Sequence, residues 1–145
     1  MKTFIPLLVL ALVVGSVHAT DAQSRRKPIT PVSHCLRIDR INEWHIVDAR
    51  TATVRTGPRH YRVDLQSACP RLGMGPAGLV FGMNRSHQAL GDSSICGEVG
   101  ETVRSAHQPP CAIASVKIID KAEFDRLSAH ALRHGSGADQ PTSRP

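Results

Sequence analysis

Residues 52–65, with the sequence ATVRTGPRHYRVDL, decide the fold that we predict for this chain. In the second half of the stretch the apolar residues Tyr61, Val63 and Leu65 alternate with polar residues, which is the pattern of a strand with one buried face. A Gly-Pro turn signal at 57–58 separates this strand from the β-branched segment before it. The stretch therefore predicts a β-hairpin.

Short segments rich in β-branched residues on both sides of the hairpin indicate further strands at 44–48, 78–83, 101–104 and 111–118. The first of these is close enough to the hairpin to form a three-stranded antiparallel meander with it. Residues 36–42 fit a short helix or a turn equally well. We therefore predict a mainly β fold, a small curled antiparallel sheet or open barrel of five or six strands with a C-terminal helix.

The C-terminal helix is predicted over residues 121–134 from its capping residues. Asp120 has the side chain of an N-cap, and Glu123 stands where a capping box places an acidic residue. Phe124 begins an apolar face that would pack on the sheet, and Gly135 follows at the position of a C-terminal cap.

Residues 1–19 have the features of a secretory signal peptide: a cation, a short apolar run and small residues before a predicted cut after Ala19. The apolar run is too short for a transmembrane helix. Polar segments with prolines at 20–33 and 135–145 predict a linker and a tail without a fold of their own, on either side of a single domain at 34–134. We expect a protein that is periplasmic or secreted and has no stable membrane insertion after cleavage.

The cysteines Cys35, Cys69, Cys96 and Cys111 are candidates for disulfide bonds. None of their spacings is the Cys-x-x-Cys pattern of zinc ribbons or thioredoxin-like sites. An even number in a small exported domain indicates two disulfides, for which three connectivities exist. We favour Cys35 with Cys111, which would join the domain's entry to its last strand, and Cys69 with Cys96, which would close the Pro- and Gly-rich loop after Leu65.

The formal net charge is +6 at pH 7, and the basic residues are spread along the chain apart from one run at 25–27. Aromatic residues make up only 3% of the chain, and a nucleic-acid surface needs clustered cations with stacking aromatics. We therefore expect no nucleic-acid partner and interpret the charge as a solvated basic surface.

The segment GDSSICGE at 91–98 contains a Gly-Asp-Ser triplet. Trypsin-like proteases carry their nucleophile in Gly-Asp-Ser-Gly-Gly, where the glycines let the backbone form the oxyanion hole. In this chain Ser94 and Ile95 occupy the positions of those glycines, and the chain is too short for the two barrels that carry the triad. We interpret the segment as a loop held by Cys96.

Two groups of histidines are candidate sites. His45, Asp48 and His60 lie on neighbouring predicted strands, where they would form the acid–base group of a small hydrolase. His130 and His134 are four residues apart, so on one helix they would face the same way, as two metal ligands should. A complete metal site needs three or four donors. We therefore favour structural or incidental roles for His130 and His134 and a solvated charged surface for the group on the strands, and we predict no catalytic residues, metal ligands or cofactor.

Motifs within residues 34–126 resemble a family of small exported proteobacterial proteins that is known only as a domain of unknown function. The most specific are the Tyr-x-Val-x-Leu strand at 61–65, which leads to Cys-Pro at 69–70, and the closing Pro-Cys-Ala-Ile at 110–113. The family typically has Asp where Glu98 stands, and a shorter link before the last cysteine. The resemblance implies an envelope location and a small β-rich domain, and it implies no activity.

These observations predict an uncharacterised exported protein, a non-catalytic module that binds an unknown envelope protein or a small ligand through its sheet face or loops. One alternative is a small envelope hydrolase that uses His45, Asp48 and His60. The other is a metal-binding protein that uses His130 and His134.

Overall fold

The structure, a computed structural model, describes residues 31–75 and 78–137. The predicted signal peptide, most of the predicted linker and the end of the predicted tail lie outside these residues. In chain order the strands and α-helices are β1 (Leu36–Arg37), β2 (Ile41–Asp48), β3 (Thr51–Thr56), β4 (Arg59–Leu65), β5 (Leu79–Gly82), α1 (Arg85–Ala89), β6 (Ser94–Ile95), β7 (Thr102–Ser105), β8 (Cys111–Ile119), α2 (Lys121–Ser128) and β9 (Arg133–Ser136).

The main sheet has seven strands in the order β5-β7-β8-β4-β3-β2-β9, and all of its pairings are antiparallel. It curls into a half-barrel, while β1 and β6 form a separate two-stranded pair. The predicted mainly β fold with a curled antiparallel sheet is therefore confirmed. The expected five or six strands did not include β9, which lies where the sequence predicts the end of the helix and the tail, nor β1 and β6, whose two residues each are too few to show an alternating pattern.

The predicted meander forms one half of this sheet. β3 and β4 form the hairpin, and β2 pairs with the other side of β3. Tyr61, Val63 and Leu65 lie on the buried face and are each at most 3% exposed, as their alternation predicts. The hydroxyl of Tyr61 donates a hydrogen bond to the carbonyl oxygen of Cys35 at 3.2 Å, which satisfies the polar end of this buried side chain.

The hydrophobic core fills the inner side of the curled sheet. Side chains of the meander meet side chains of the β1–β6 pair and of the loop after β4, and full burial of one such side chain contributes about 1.5–3 kcal/mol to stability. Prominent members of this cluster, none more than 4% exposed, are Leu36, Trp44, Ile46, Val54, Leu72 and Ile95. The small β1–β6 pair thus contributes Leu36 and Ile95 to the core of the main sheet.

Helix α2 begins as predicted but ends at Ser128. Asp120 Oδ1 accepts a hydrogen bond from the amide of Glu123 at 2.7 Å, so the predicted N-cap is confirmed. After a turn, the amide of Leu132 donates to the carbonyl oxygen of Ile46 at 2.7 Å, and β9 continues this pairing along β2. The prediction of a helix up to residue 134 is wrong because pairing with the edge of β2 replaces the last helical turns.

Gly135 lies within β9 and is not the helix cap that the sequence indicates. A Cβ at this position would be 2.2 Å from Cζ2 of Trp44, so only glycine lets the strand cross the indole ring this closely. The sheet thus continues to Ser136, inside the segment that the sequence assigns to the tail. The tail from residue 138 onward lies outside the described residues.

The first disulfide joins Cys35 to Cys96, so the predicted partner of Cys35 was wrong. Each of these cysteines directly flanks a strand of the β1–β6 pair, in which Leu36 lies opposite Ile95. This pairing brings the two Cα atoms to 4.4 Å. The prediction failed because it rested on spacing and did not include the β1–β6 pair.

The second disulfide joins Cys69 to Cys111, in place of the predicted bond from Cys69 to Cys96. The chain after β4 turns back along the start of β8, where the amide of Gln66 donates to the carbonyl oxygen of Ala112 at 2.9 Å. The two disulfides therefore staple two separate places. One holds the β1–β6 pair, and the other holds the loop after β4 to the first residue of β8.

Candidate functional site

His45 and His60, two members of the predicted acid–base group, lie on the outer face of the sheet and contact helix α2. The ring centroid of Phe124 is 5.6 Å from that of His45 and 4.6 Å from that of His60. Beside them, the hydroxyls of Thr53 and Ser128 are hydrogen-bonded at 3.0 Å. Because Phe124 is only 4% exposed, the histidine rings form part of the surface on which the buried side chain of α2 packs.

Asp48, the third member of that group, is the last residue of β2, where the chain turns into β3. Its Oδ1 accepts a hydrogen bond from the amide of Arg50 at 2.7 Å, a common role for aspartate in turns. The carboxylate nearest to His45 is that of Glu43, with 4.0 Å between Oε2 and Nε2. Glu43 is also paired with Arg55 at 2.5 Å, so the structure assembles an ion-pair row here rather than the predicted group.

We predict that mild acidification destabilises the fold through His45. Burial lowers the pKa of His45 below its usual value of 6.5; Glu43 partly opposes this, and the positive charge of His134 adds to it. Since the folded pKa is the lower one, the unfolded chain binds more protons, and the free energy of unfolding falls as the pH falls through 6.5.

Melting curves followed by circular dichroism check this prediction. We expect a lower melting temperature at about pH 5.5 than at about pH 7.5, and a smaller difference in the variant His45→Gln. The control is His130→Gln, since His130 is exposed on the turn after α2. An equal pH effect in the two variants would contradict the role of His45.

The two histidines predicted as metal ligands do not share a helix. His134 lies in β9 directly opposite His45, and their ring centroids are 6.2 Å apart. His130 lies in the turn after α2, where its amide donates to the carbonyl oxygen of Leu127 at 3.4 Å. Because α2 ends at Ser128, the shared helical face behind the metal hypothesis does not form.

A different group of three potential metal ligands occurs among the described residues. One ligand atom each of His87, Cys96 and Glu98 lies within 4.8 Å of the others. The sulfur of Cys96 is bonded to Cys35, so it is not the thiolate that binds metals. Glu98 Oε2 lies 3.5 Å from His87 Nε2. The group is therefore a histidine–carboxylate contact beside a disulfide.

The loop at 91–98 is held together by its aspartate. Asp92 Oδ1 accepts a hydrogen bond from Ser94 Oγ at 2.7 Å, and its Oδ2 lies 3.3 Å from His87 Nδ1. The hydrogen bond from Ser94 is the largest cause that holds the pKa of Asp92 below its usual value. Ser93 Oγ donates to Asp39 Oδ1 at 3.1 Å. Both serine hydroxyls of the Gly-Asp-Ser-Ser segment thus donate to carboxylates.

Glu101, which is in no recognisable sequence motif, is fully buried, and its side chain holds the loop at 91–98. Its carboxylate accepts hydrogen bonds of 2.6–3.0 Å from the amides of Cys96, Gly97 and Glu98. Three successive amides that point at one anion form a nest, and this nest holds the protein's own carboxylate. The one signal in the sequence is Gly97, which has a φ of +79° that the nest requires.

A match to a protein-family model shows the family of the chain. The model matches residues 1–135, which is nearly the whole length. The chain belongs to DUF6491, a family of unknown function. No curated protein and no solved structure matches this DUF6491 chain. Over the residues that its structure describes, it contains no helix that is long and apolar enough to cross a membrane.

The DUF6491 domain also has a basic groove that was not visible in the sequence. The groove has a volume of about 570 Å³ and runs between the β3–β4 turn and the segment that leads into β2. Its lining is formed by Arg37, Arg40, Asn42, Thr56, Gly57, Pro58, Arg59 and Tyr61. The three arginines come from two separate parts of the chain, and the fold brings them to one cavity. We call this cavity the arginine groove.

Proposed function

We propose that this protein is exported to the periplasm or secreted, and that it works there as a non-catalytic module that binds an envelope protein or a small ligand. The observation that carries the proposal is the pair of disulfides, which uses all four cysteines. Disulfides persist in oxidising compartments and are rare in the cytosol. The signal-peptide pattern at 1–19 supports the same location.

The polar groups of the described residues support binding rather than catalysis. The carboxylate of Glu101 and the hydroxyls of Ser93 and Ser94 are committed to internal hydrogen bonds. The arginine groove, in contrast, presents cationic donors to solvent. The hydrolase and metal-binding alternatives lack comparable support, because Asp48 and His130 lie outside the groups that they would complete.

The location is tested by the intact mass of the chain, expressed with its own N-terminus in a bacterium that has a periplasm. The periplasmic fraction is alkylated without reductant before the measurement. We expect a chain that starts at Thr20 and lacks the four thiol hydrogens of Cys35, Cys69, Cys96 and Cys111. A full-length chain with free thiols, found only in the cytosol, would overturn the proposed location.

The binding role is tested by adding the purified, tagged, disulfide-bonded protein to a periplasmic extract, followed by chemical crosslinking and mass spectrometry of what the protein captures. We expect a partner or small-molecule adduct that disappears when an excess of untagged protein competes. The control is the same protein after reduction and alkylation of both disulfides, which removes the native loops. Capture that is equal before and after reduction would show adhesion of the chain rather than binding by the fold.

A further inference from the structure

We propose that the arginine groove binds a phosphate group, so that the ligand class of this protein is a phosphorylated molecule. The inference deepens the proposed function and rests on the protein being a binding module. Arg37, Arg40 and Arg59 are among the residues that line the groove, and no acidic residue is among its lining residues in the described chain. Clustered positive charge in a concave site attracts anions.

The three arginines differ in how free they are to take up an anion. Arg40 is exposed and has no hydrogen bond or ion pair with another described residue. Arg59 uses Nη1 to donate to the carbonyl oxygen of Ser33, which fixes the guanidinium while its other N–H groups remain available. Arg37 is paired with Asp39 through two contacts of 3.1 Å, so its charge is partly neutralised. Arg40 and Arg59 are therefore the main hydrogen-bond donors to a bound anion.

Asn42 adds a neutral donor whose orientation is set by the fold. Its Oδ1 accepts a hydrogen bond from the amide of Gly57 in the β3–β4 turn. That contact commits the acceptor end of the amide and leaves the Nδ2 donor for other partners. A groove with two guanidinium groups and one amide donor therefore offers several donors to one ligand.

This donor set suits phosphate better than carboxylate. Guanidinium groups bind both anions through pairs of parallel N–H···O bonds. A carboxylate carries one negative charge, whereas a terminal phosphate carries about 1.5 to 2 negative charges spread over three oxygens. The phosphate therefore matches two arginine charges and the Asn42 amide better than a carboxylate does. The phosphate can belong to a soluble molecule or to a lipid headgroup, and the two sources are separated by experiment.

Calorimetric titration of the purified, disulfide-bonded protein with inorganic pyrophosphate at low salt tests the site. We expect Arg40→Ala to weaken binding by about tenfold or more, as for loss of a charge-assisted hydrogen-bond pair. The affinity of Arg40→Lys should fall between those of the parent protein and Arg40→Ala, since lysine keeps the positive charge and loses the paired N–H donors of the guanidinium. The matched control is Arg85→Ala, which removes an exposed arginine that lines a different cavity and should change affinity by less than about twofold.

A second arm measures co-sedimentation with phosphatidylcholine vesicles that contain phosphatidic acid, a lipid whose headgroup is a terminal phosphate. Binding to pyrophosphate alone assigns a soluble phosphate, and Arg40-dependent binding to vesicles alone assigns a lipid headgroup. The proposal is overturned if neither probe binds, or if Arg40→Ala and Arg85→Ala weaken binding equally, which would show diffuse attraction to a basic surface. These two binding measurements need neither export nor a protein partner. If both are negative while the crosslinking experiment captures an envelope protein, the phosphate site is overturned and the proposed function stands.

Discussion

Replacement of Glu101 by alanine is expected to lower the free energy of unfolding by about 3–6 kcal/mol. The side chain is fully buried, and its carboxylate accepts hydrogen bonds from the amides of Cys96, Gly97 and Glu98. Alanine leaves these donors without their acceptor, and each unsatisfied buried donor costs about 1–3 kcal/mol. Small domains have about 5–15 kcal/mol in total, so Glu101→Ala should be marginally folded.

Urea unfolding followed by tryptophan fluorescence measures this loss. Trp44 is the single tryptophan and is 4% exposed, so its emission reports on the core. The matched control is Glu98→Ala, because the Glu98 side chain is 44% exposed and a contact at the surface, such as those with Asn84 and His87, contributes about 0–1 kcal/mol. Glu101→Gln keeps one acceptor but turns an NH₂ group toward the amides, so an intermediate loss is expected. A loss below about 1 kcal/mol in Glu101→Ala would contradict the nest as a source of stability.

The position of the nest explains why one carboxylate has such a large expected effect. A Cβ on Gly97 would be 2.6 Å from the amide nitrogen of Val116, so the nest lies directly against the backbone of β8. The adjacent Cys96 carries the disulfide to Cys35. Glu101 therefore connects the main sheet to the loop that holds the β1–β6 pair, and its removal weakens both.

The parts of the fold that could be predicted are those with local signals. Alternation in β4, the turn at 57–58 and the N-cap at Asp120 each act within a few residues, and each is present in the structure. β9 could not be predicted, because the need for glycine at position 135 comes from the close approach of the strand to Trp44, which is far away in the sequence. The disulfide connectivity could not be predicted for the same reason, since Cys35–Cys96 depends on the pairing of β1 with β6 and Cys69–Cys111 on the return of the chain along β8.

The candidate sites differ in the same way, because some have a local sequence pattern and others form only through tertiary contacts. The spacing of His130 and His134 predicts that they share one face of a helix, but the end of α2 separates them. The arginine groove has no spacing signal, because Arg40 and Arg59 meet only after the β3–β4 turn comes close to the segment before β2. A cluster built by tertiary contacts cannot be recognised from a scattered set of arginines. The charge alone indicated a solvated surface.

The two disulfides are expected to respond very differently to a reductant. Cys35 and Cys96 are only 1% and 3% exposed, so a thiol or phosphine reaches them only when the fold opens. Cys111 is partly exposed, and the disulfide that it forms with Cys69 lines a cavity of about 230 Å³. The Cys69–Cys111 bond should therefore be reduced first under native conditions.

Removal of either bond should have a large effect on stability. The bonds span 61 and 42 residues, for which the loop-entropy model gives about 4 kcal/mol each. We therefore expect the double variants Cys35→Ala/Cys96→Ala and Cys69→Ala/Cys111→Ala to unfold at much lower urea concentrations than the parent protein.

Pulse alkylation during native reduction, followed by peptide mapping, separates accessibility from stability. We expect alkylated Cys69 and Cys111 to appear together early, and Cys35 and Cys96 to follow only at the rate of global unfolding, which added urea should increase. Simultaneous appearance of all four would contradict the difference in access. Early appearance of Cys35 together with Cys111 would instead restore the pairing that spacing suggests. The order of labelling therefore tests both the connectivity and the burial of the β1–β6 pair in one experiment.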